Sequence, residues 1–482
     1  MIPTETSGVA ISTSGPRLVH LKDICDRITK GSTPTSYGFK YTRKGIRFIK
    51  VENIDKNGLA STTTDYIDEA TNEFLNRSIL QEHDILFSIA GTIGRVGIIR
   101  RADLPANTNQ ALAIVRLQPG IIEQRYLFYY LKSDAIQKDA LKRIVGVGRA
   151  NLSLTNIGEF SIPLISLDQQ KRIVAEIEKQ FSRLDEAVAN LKRVKANLKR
   201  YKAAVLKAAV EGKLTEKWRK THPNVVPGSK LLERILAERR AKWKGRGKYK
   251  APVKPAMTEP LFLPEKWIWT TVEQLTAIVT SGSRGWGEYY SNTGPLFIRA
   301  QDIKTDSLNL PNVARVMIPH NAEGTRTAVS KGDVLITITG ANVTKSALVR
   351  ELKEEAFVSQ HVALLKPSLT AISTYLFTWV VAPTHGRKTL ERWAYGAGKP
   401  GLSLEQVRSL PVALPPLAEQ IQMADEVERR LSVIDELEAA VEANLIRADR
   451  LRQSILSQAF SGRLLMQLPL NISNTVHTQA LR

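Results

Sequence analysis

Few residue combinations in this chain could do covalent chemistry, and each is incomplete. Asp333 lies upstream of Glu351-Leu352-Lys353, a spacing that a metal-dependent nuclease could use. In the matching stretch of the first half Asp84 recurs, but Ala102 stands in place of Glu351, so the aspartate reads more simply as a turn carboxylate ahead of an apolar strand. Gly146-Val147-Gly148 and Gly396-Ala397-Gly398 are short glycine loops that do not complete a dinucleotide fingerprint. Gly340 to Ser346 is not a phosphate loop, because its lysine arrives one residue early and the glycine before it is missing. A methyltransferase would need a glycine-rich cofactor loop and, to methylate an amino group, an Asn-Pro-Pro or Asp-Pro-Pro motif; neither is present. The seven histidines show no metal-ligand spacing and no Ser/His/Asp arrangement.

The remaining chemistry is recognition. Polar, glycine-bearing loops recur at matching places in the two halves of the chain. Ser32, Thr33, Tyr37 and Lys40 stand against Ser283, Arg284 and Trp286; Arg95 against Asn342 and Lys345; Asn109 and Gln110 against Gln360 and His361; Arg149 and Asn151 against Lys399. Arginine, asparagine and glutamine can contact base edges in a bidentate manner, and lysine holds phosphates. Any one of these could be an ordinary polar loop, but recurrence at four matched places makes the set a candidate DNA surface.

The elements that must carry these loops are also repeated. Phe48 to Ile54 returns as Phe297 to Ile303, His83 to Gly91 as Gly332 to Gly340, and Ala209 to Leu214 as Ala459 to Leu464. Such a steady offset, about 250 residues, means that one domain-plus-helix unit was duplicated and fused. The spacing predicts strand-rich domains over 1–160 and 261–413, with short strands separated by turn clusters and Tyr126 to Arg143 as the clearest helix.

Long helices follow each domain, over 161–214 and 414–466. Ile177, Phe181, Leu184, Leu191 and Tyr201 form an apolar stripe, repeated by Val427, Leu431, Ile434, Val441 and Leu451. Two copies related by a two-fold axis must run antiparallel, which predicts an internal helix pair; docking of each stripe on another subunit is the alternative. Residues 215–260 read as a basic linker, either a strap on phosphates or a partner, or a solvated connector. Residues 467–482 read as a tail. The fold class expected is α+β with internal two-fold pseudo-symmetry.

Composition agrees with a polyanionic partner. Lys and Arg number 69 against 47 Asp and Glu, a net charge of +22. Cys25 is the single cysteine, which excludes a disulfide framework and suits a cytoplasmic protein. Apolar runs such as Tyr375 to Ala382 are too short to span a membrane, and Met1 to Ser14 does not resemble a secretory signal.

The helix entries Ser161-Ile162-Pro163-Leu164 and Leu414-Pro415-Pro416-Leu417, the Leu-Ser-Leu before each, and the aspartate-led strands ending in Gly91 and Gly340 together resemble the specificity subunit of type I restriction-modification enzymes. The resemblance covers roughly residues 17 to 465, twice over. It implies two domains that each read half of an asymmetric bipartite DNA site, separated by antiparallel helices that dock two methyltransferase subunits. Two motor-nuclease subunits would complete the restriction enzyme. S-adenosylmethionine, ATP and Mg would then belong to those partners, with no cofactor and no catalytic residue in this chain. A stand-alone bipartite DNA-binding scaffold or regulator is the alternative; an autonomous nuclease would rest on Asp333 and Glu351 alone. One departure concerns the leading strand, which has Trp267 and Trp269 in the second half but Pro16 and Leu18 in the first.

Overall fold

The computed structural model describes residues 16–55, 58–60, 65–144, 151–241, 248–256, 262–317, 326–394 and 400–466. The chain divides into two compact units, residues 1–191 with 442–482, and residues 192–441.

In the first unit Arg17–His20 pairs antiparallel with Ser161–Leu164. A four-stranded antiparallel sheet runs in the order Cys25–Lys30, Leu112–Leu117, Ile85–Ser88, Val96–Ile98. Ile46–Ile49 lies between Tyr66–Ile67, antiparallel, and Ala106–Thr108, parallel. The second unit repeats this topology. Ile268–Thr271 pairs with Pro411–Leu414, and the four-stranded sheet is Thr276–Ser281, Val362–Pro367, Val334–Thr337, Ser346–Leu348. Tyr290–Ile298 there lies between Ala314–Val316 and Ala356–Val358.

The central strands explain the short apolar runs. Every residue of Ile85–Ser88 is buried, because both sheet faces are covered. Ile85 and Phe87 face the helix Gln124–Leu131 and its core, while Leu86 faces a second cluster with Ile49, Ile54 and Ile114. In the second unit Val334 and Ile336 face one core and Leu335 the other. The single helix expected over Tyr126 to Arg143 is two, Gln124–Leu131 and Asp134–Lys142. Ser133 separates them in an extended conformation, and its hydroxyl donates to Tyr130 O at 2.6 Å.

Two 44-residue helices, Leu167–Val210 and Leu417–Phe460, each span roughly 66 Å. Each is entered the same way: Gln170 Nε2 donates to Ile165 O and Gln420 Nε2 to Pro415 O, both at 2.8 Å. Gly212 ends the first, with φ at 69°, and Lys213 N closes back on Ala208 O at 2.8 Å.

The two helices pair within the chain, and they pair antiparallel. In the first unit Ile173, Ile177 and Phe181 share a core with Ile455, Leu456 and Ala459; in the second, Leu206, Ala209 and Val210 share one with Met423 and Val427. Asp185 pairs with Arg452 in one unit, and its repeat Asp435 with Lys202 in the other, at 3.2 Å. Of the remaining stripe residues, Ile434 and Val441 are buried, while Leu184, Leu191 and Leu431 are half-buried.

Tyr201 and Leu451 correct the expected stripe, being 49% and 47% exposed. Stepping by three and four from Leu191 along a coiled-coil seam reaches Leu198, Lys202 and Val205. Leu198 and Val205 are buried, and the position between them belongs to a lysine in an ion pair. Ala448, Arg452 and Ile455 make the same sequence of seam positions in the second helix. Tyr201 and Leu451 each lie one residue off it.

The stretch 215–260 is more than a connector. Glu216–Thr221 and Gly228–Ala241 are helices, and Leu231 and Ile235 are buried in the second unit's core. Glu419, fully buried, accepts from Thr215 Oγ1 at 2.7 Å and Trp267 Nε1 at 2.9 Å, and forms an ion pair with Arg219. This clasp also accounts for the leading-strand difference. Trp267 is 8% exposed as a partner of Glu419, whereas the first unit has an exposed Gln169 where the second has Glu419, and Leu18 on its leading strand is 65% exposed. The strand pairing is the same in both units despite this.

Candidate nucleic-acid interface

Antiparallel pairing in the four-stranded sheet brings separate loops to one end of it. Lys30 opposes Ala113, Leu112 opposes Ser88, and Phe87 opposes Val96. The loops that follow Lys30, follow Ser88 and precede Leu112 therefore emerge together. Asn151 joins them, because it forms a bridge to Ala90. The second unit matches: Ser281 opposes Ala363, Val362 opposes Thr337, Ile336 opposes Ser346, and Gly401 bridges Thr339.

Glycine makes the closest approach possible. A Cβ on Gly31 would overlap the backbone of Thr108 and Asn109, and one on Gly282 the backbone of Val358 and Ser359. In the first unit this sets Ser32 and Thr33 beside Asn109 and Gln110, and the Thr33 hydroxyl donates to Gln110 Oε1. In the second, Gly282 N donates to Ser359 O at 3.2 Å, placing Ser283 beside Gln360 and His361, whose side chains meet at 3.3 Å. Arg284 is exposed.

Other expected contacts have duties inside the fold. Arg95 is half-buried and donates to Val51 O at 3.1 Å and Ile54 O at 2.8 Å. Its counterpart Lys345 donates to Asn342 Oδ1 at 2.7 Å, and Asn342 Nδ2 to Ala300 O at 3.3 Å. Each thereby ties its loop to a 3-10 turn, Val51–Asn53 or Ala300–Asp302. Trp286 is buried, stacked on Phe297 at 5.2 Å between ring centroids and edge-on to Phe357, so it is a core residue and not a surface contact. Tyr37 is 54% exposed, its ring edge-on to Phe74 at 5.2 Å, and Lys40 is exposed. Arg149 and Lys399 lie outside the described residues.

A model of the type I restriction modification DNA specificity domain matches residues 17–200. The EcoKI specificity subunit of Escherichia coli K12 is 25% identical over 430 residues, which cover 88% of this chain and 83% of that one. The EcoBI specificity subunit of Escherichia coli is 29% identical over 228 residues, 45% of this chain and about half (48%) of the relative's length. Among solved structures, one reported on complex assembly and conformational transition of the type I R-M system has a TM-score of 0.62 at 18% identity, covering 93% of this chain and 98% of the other. The HsdS subunit from Thermoanaerobacter tengcongensis has a TM-score of 0.51 at 17% identity, covering 95% and 100%. These likenesses show the fold. Residues 17–200 thus match a type I DNA specificity domain, and most of the chain is similar to type I restriction enzyme specificity subunits.

The aspartates repeated in the two strand-rich parts have a structural duty. Asp84 is buried, accepts from Gln81 N at 2.8 Å, and pairs with Arg116 at 2.7 Å. Asp333 accepts from Ser330 N at 2.8 Å and pairs with Lys366 at 2.6 Å. Burial raises the Asp333 carboxyl above its ordinary range, with Lys366 opposing the shift. Each closes the turn ahead of its central strand and anchors it to the neighbouring strand. Among the described residues, no group of three His, Cys, Asp or Glu side chains is placed to hold a metal ion. No helix among them is long and apolar enough to cross a membrane.

Proposed function

We propose that this chain reads an asymmetric bipartite DNA site, one half with each recognition domain, and positions methyltransferase and motor-nuclease subunits there. Each domain contacts its half-site through the loops at the end of its four-stranded sheet. The observation that carries this reading is the same constellation of loops built twice with mostly different side chains, Thr33 against Arg284 and Asn109 against Ser359. One scaffold with two sets of polar groups suits two different half-sites. Lys and Arg in excess, +22 overall, favour the polyanion.

The paired helices set the gap between half-sites and offer docking surface to two methyltransferase subunits, which bring S-adenosylmethionine. Two motor-nuclease subunits, using ATP and Mg, complete the restriction complex, which works in the cytoplasm. Replacing residues 17–160 by the same region of a relative, in cells that carry the partner genes, tests the reading. Sequencing of methylated positions is expected to show one half-site changed and the other kept. A change in both halves would overturn independent reading, and methylation that persists when the whole chain is deleted would favour the stand-alone scaffold.

A further inference from the structure

The two recognition domains differ in most polar loop positions, so residues that stay the same at the sheet end stand out. Ser32 and Ser283 each follow the pinned glycine, and Gln110 and Gln360 each precede the next strand. A third match lies in a turn that the loop pattern in the sequence did not single out. Arg77, in the 3-10 turn Asn76–Ser78, precedes Leu80, whose N donates to Ala106 O at 2.9 Å. Arg326 precedes Val329 by the same three residues, and Val329 N donates to Ala356 O at 2.8 Å. Both arginines are exposed, while the next residue, Ser78 or Thr327, is buried in each.

The turn and the pinned glycine flank one strand. Gly31 presses on the end of Ala106–Thr108 as Gly282 does on Ala356–Val358, and Ala328 bridges Phe357. In the first unit Arg77 Nη2 comes within 3.5 Å of Ser32 Oγ, a long contact that puts the guanidinium at the rim of the candidate surface.

Two half-sites of different sequence share their sugar-phosphate backbone and not their bases. A cation kept the same in both domains therefore fits the shared part, while Thr33, Arg284 and His361 vary with the bases. We propose that Arg77 and Arg326 are matched phosphate contacts that register each domain on the duplex without reading sequence. This rests on the DNA-recognition reading above.

The test uses the full chain, titrated onto duplex DNA of randomised sequence across a salt series, with sequencing of the bound fraction. Arg77→Ala and Arg326→Ala are each expected to reduce the slope of log affinity against log salt by about 0.9 and to weaken binding about five- to ten-fold near ~0.1 M salt. The enriched bases stay the same, and Arg77→Lys keeps most of the slope. An unchanged slope would overturn the proposal in favour of solvated arginines, and altered bases in one half-site would overturn it in favour of base reading. If the unaltered chain shows no salt-dependent binding, DNA recognition itself fails, and this proposal with it.

Discussion

At the scale of single residues, contact and scaffold separate by what each polar group already holds. Arg95 is committed to two backbone carbonyls, and Trp286 is inside an aromatic cluster. Loop composition marked both as candidates, because a pattern of residue types does not tell an arginine that faces DNA from one that ties down a turn. Gly282 is legible only in three dimensions. Gly282→Ala drives a Cβ into the backbone of Val358, so the second domain should lose about 1 to 3 kcal/mol, read as a lower melting temperature, with selective loss of one half-site. A normal melting temperature with unchanged site preference would show that the loop is not pinned.

Lys132 offers a second residue-scale prediction, through pH. Burial, with Arg452 nearby, lowers its ammonium from 10.5 to about 8, and it lies 4.7 Å from the Phe128 ring centre. The unfolded chain holds that proton up to its ordinary range, so between about pH 8 and 10.5 the unfolded state binds more protons and stability rises with pH. Below pH 8 the folded state carries the cost of a poorly solvated charge in full. Lys132→Met should raise the melting temperature at pH 7, and the gain should shrink as pH climbs from 8 towards 10.5. A difference independent of pH would assign the effect to packing instead.

At the scale of elements, the two helices were readable as helices because 44 residues pass without glycine or proline, but their seam was not. The apolar count favoured Tyr201 over Lys202, and only the pairing shows that a charged side chain occupies the seam. Leu198→Ala should therefore cost about 2 to 3 kcal/mol, while Tyr201→Ala should cost less than about 1, both by denaturant unfolding. Equal costs would place the seam elsewhere. The stretch after Gly212 shows the opposite failure: its charge hid the i, i+4 pair Leu231 and Ile235, which a helical reading could have found.

At the scale of the whole molecule, duplication was the strongest signal in the sequence, and the shared topology of the units shows why. Matching strand registers, such as Ile114 with Leu86 and Leu364 with Leu335, survive because buried strands tolerate only aliphatic exchanges, while exposed loops drift. If the helix pair is the spacer, lengthening both helices together should lengthen the gap between half-sites. Seven residues added to each, near Lys195 and near Glu442, keep the seam in phase and add roughly 10 Å, about three base pairs of duplex. Methylation of a library with randomised spacers is expected to shift by that amount, and an unshifted preference would leave the helices as docking surfaces alone. Two residues added to one helix rotate its seam by about 200° and should destabilise the chain.

The crossed ion pairs constrain inheritance. Asp185 belongs to the first repeat of the sequence and its partner Arg452 to the second, and the same holds for Lys202 and Asp435. A sequence repeat is therefore not a spatial unit: each compact unit is built from pieces of both. A single recombination break between Asp185 and Arg452, Pro411–Leu414 included, separates partners that evolved together, whereas a crossover at Ser161–Leu164, ahead of the first helix, leaves all four on one parent. Genomes that exchange target specificity by shuffling should carry their breakpoints there.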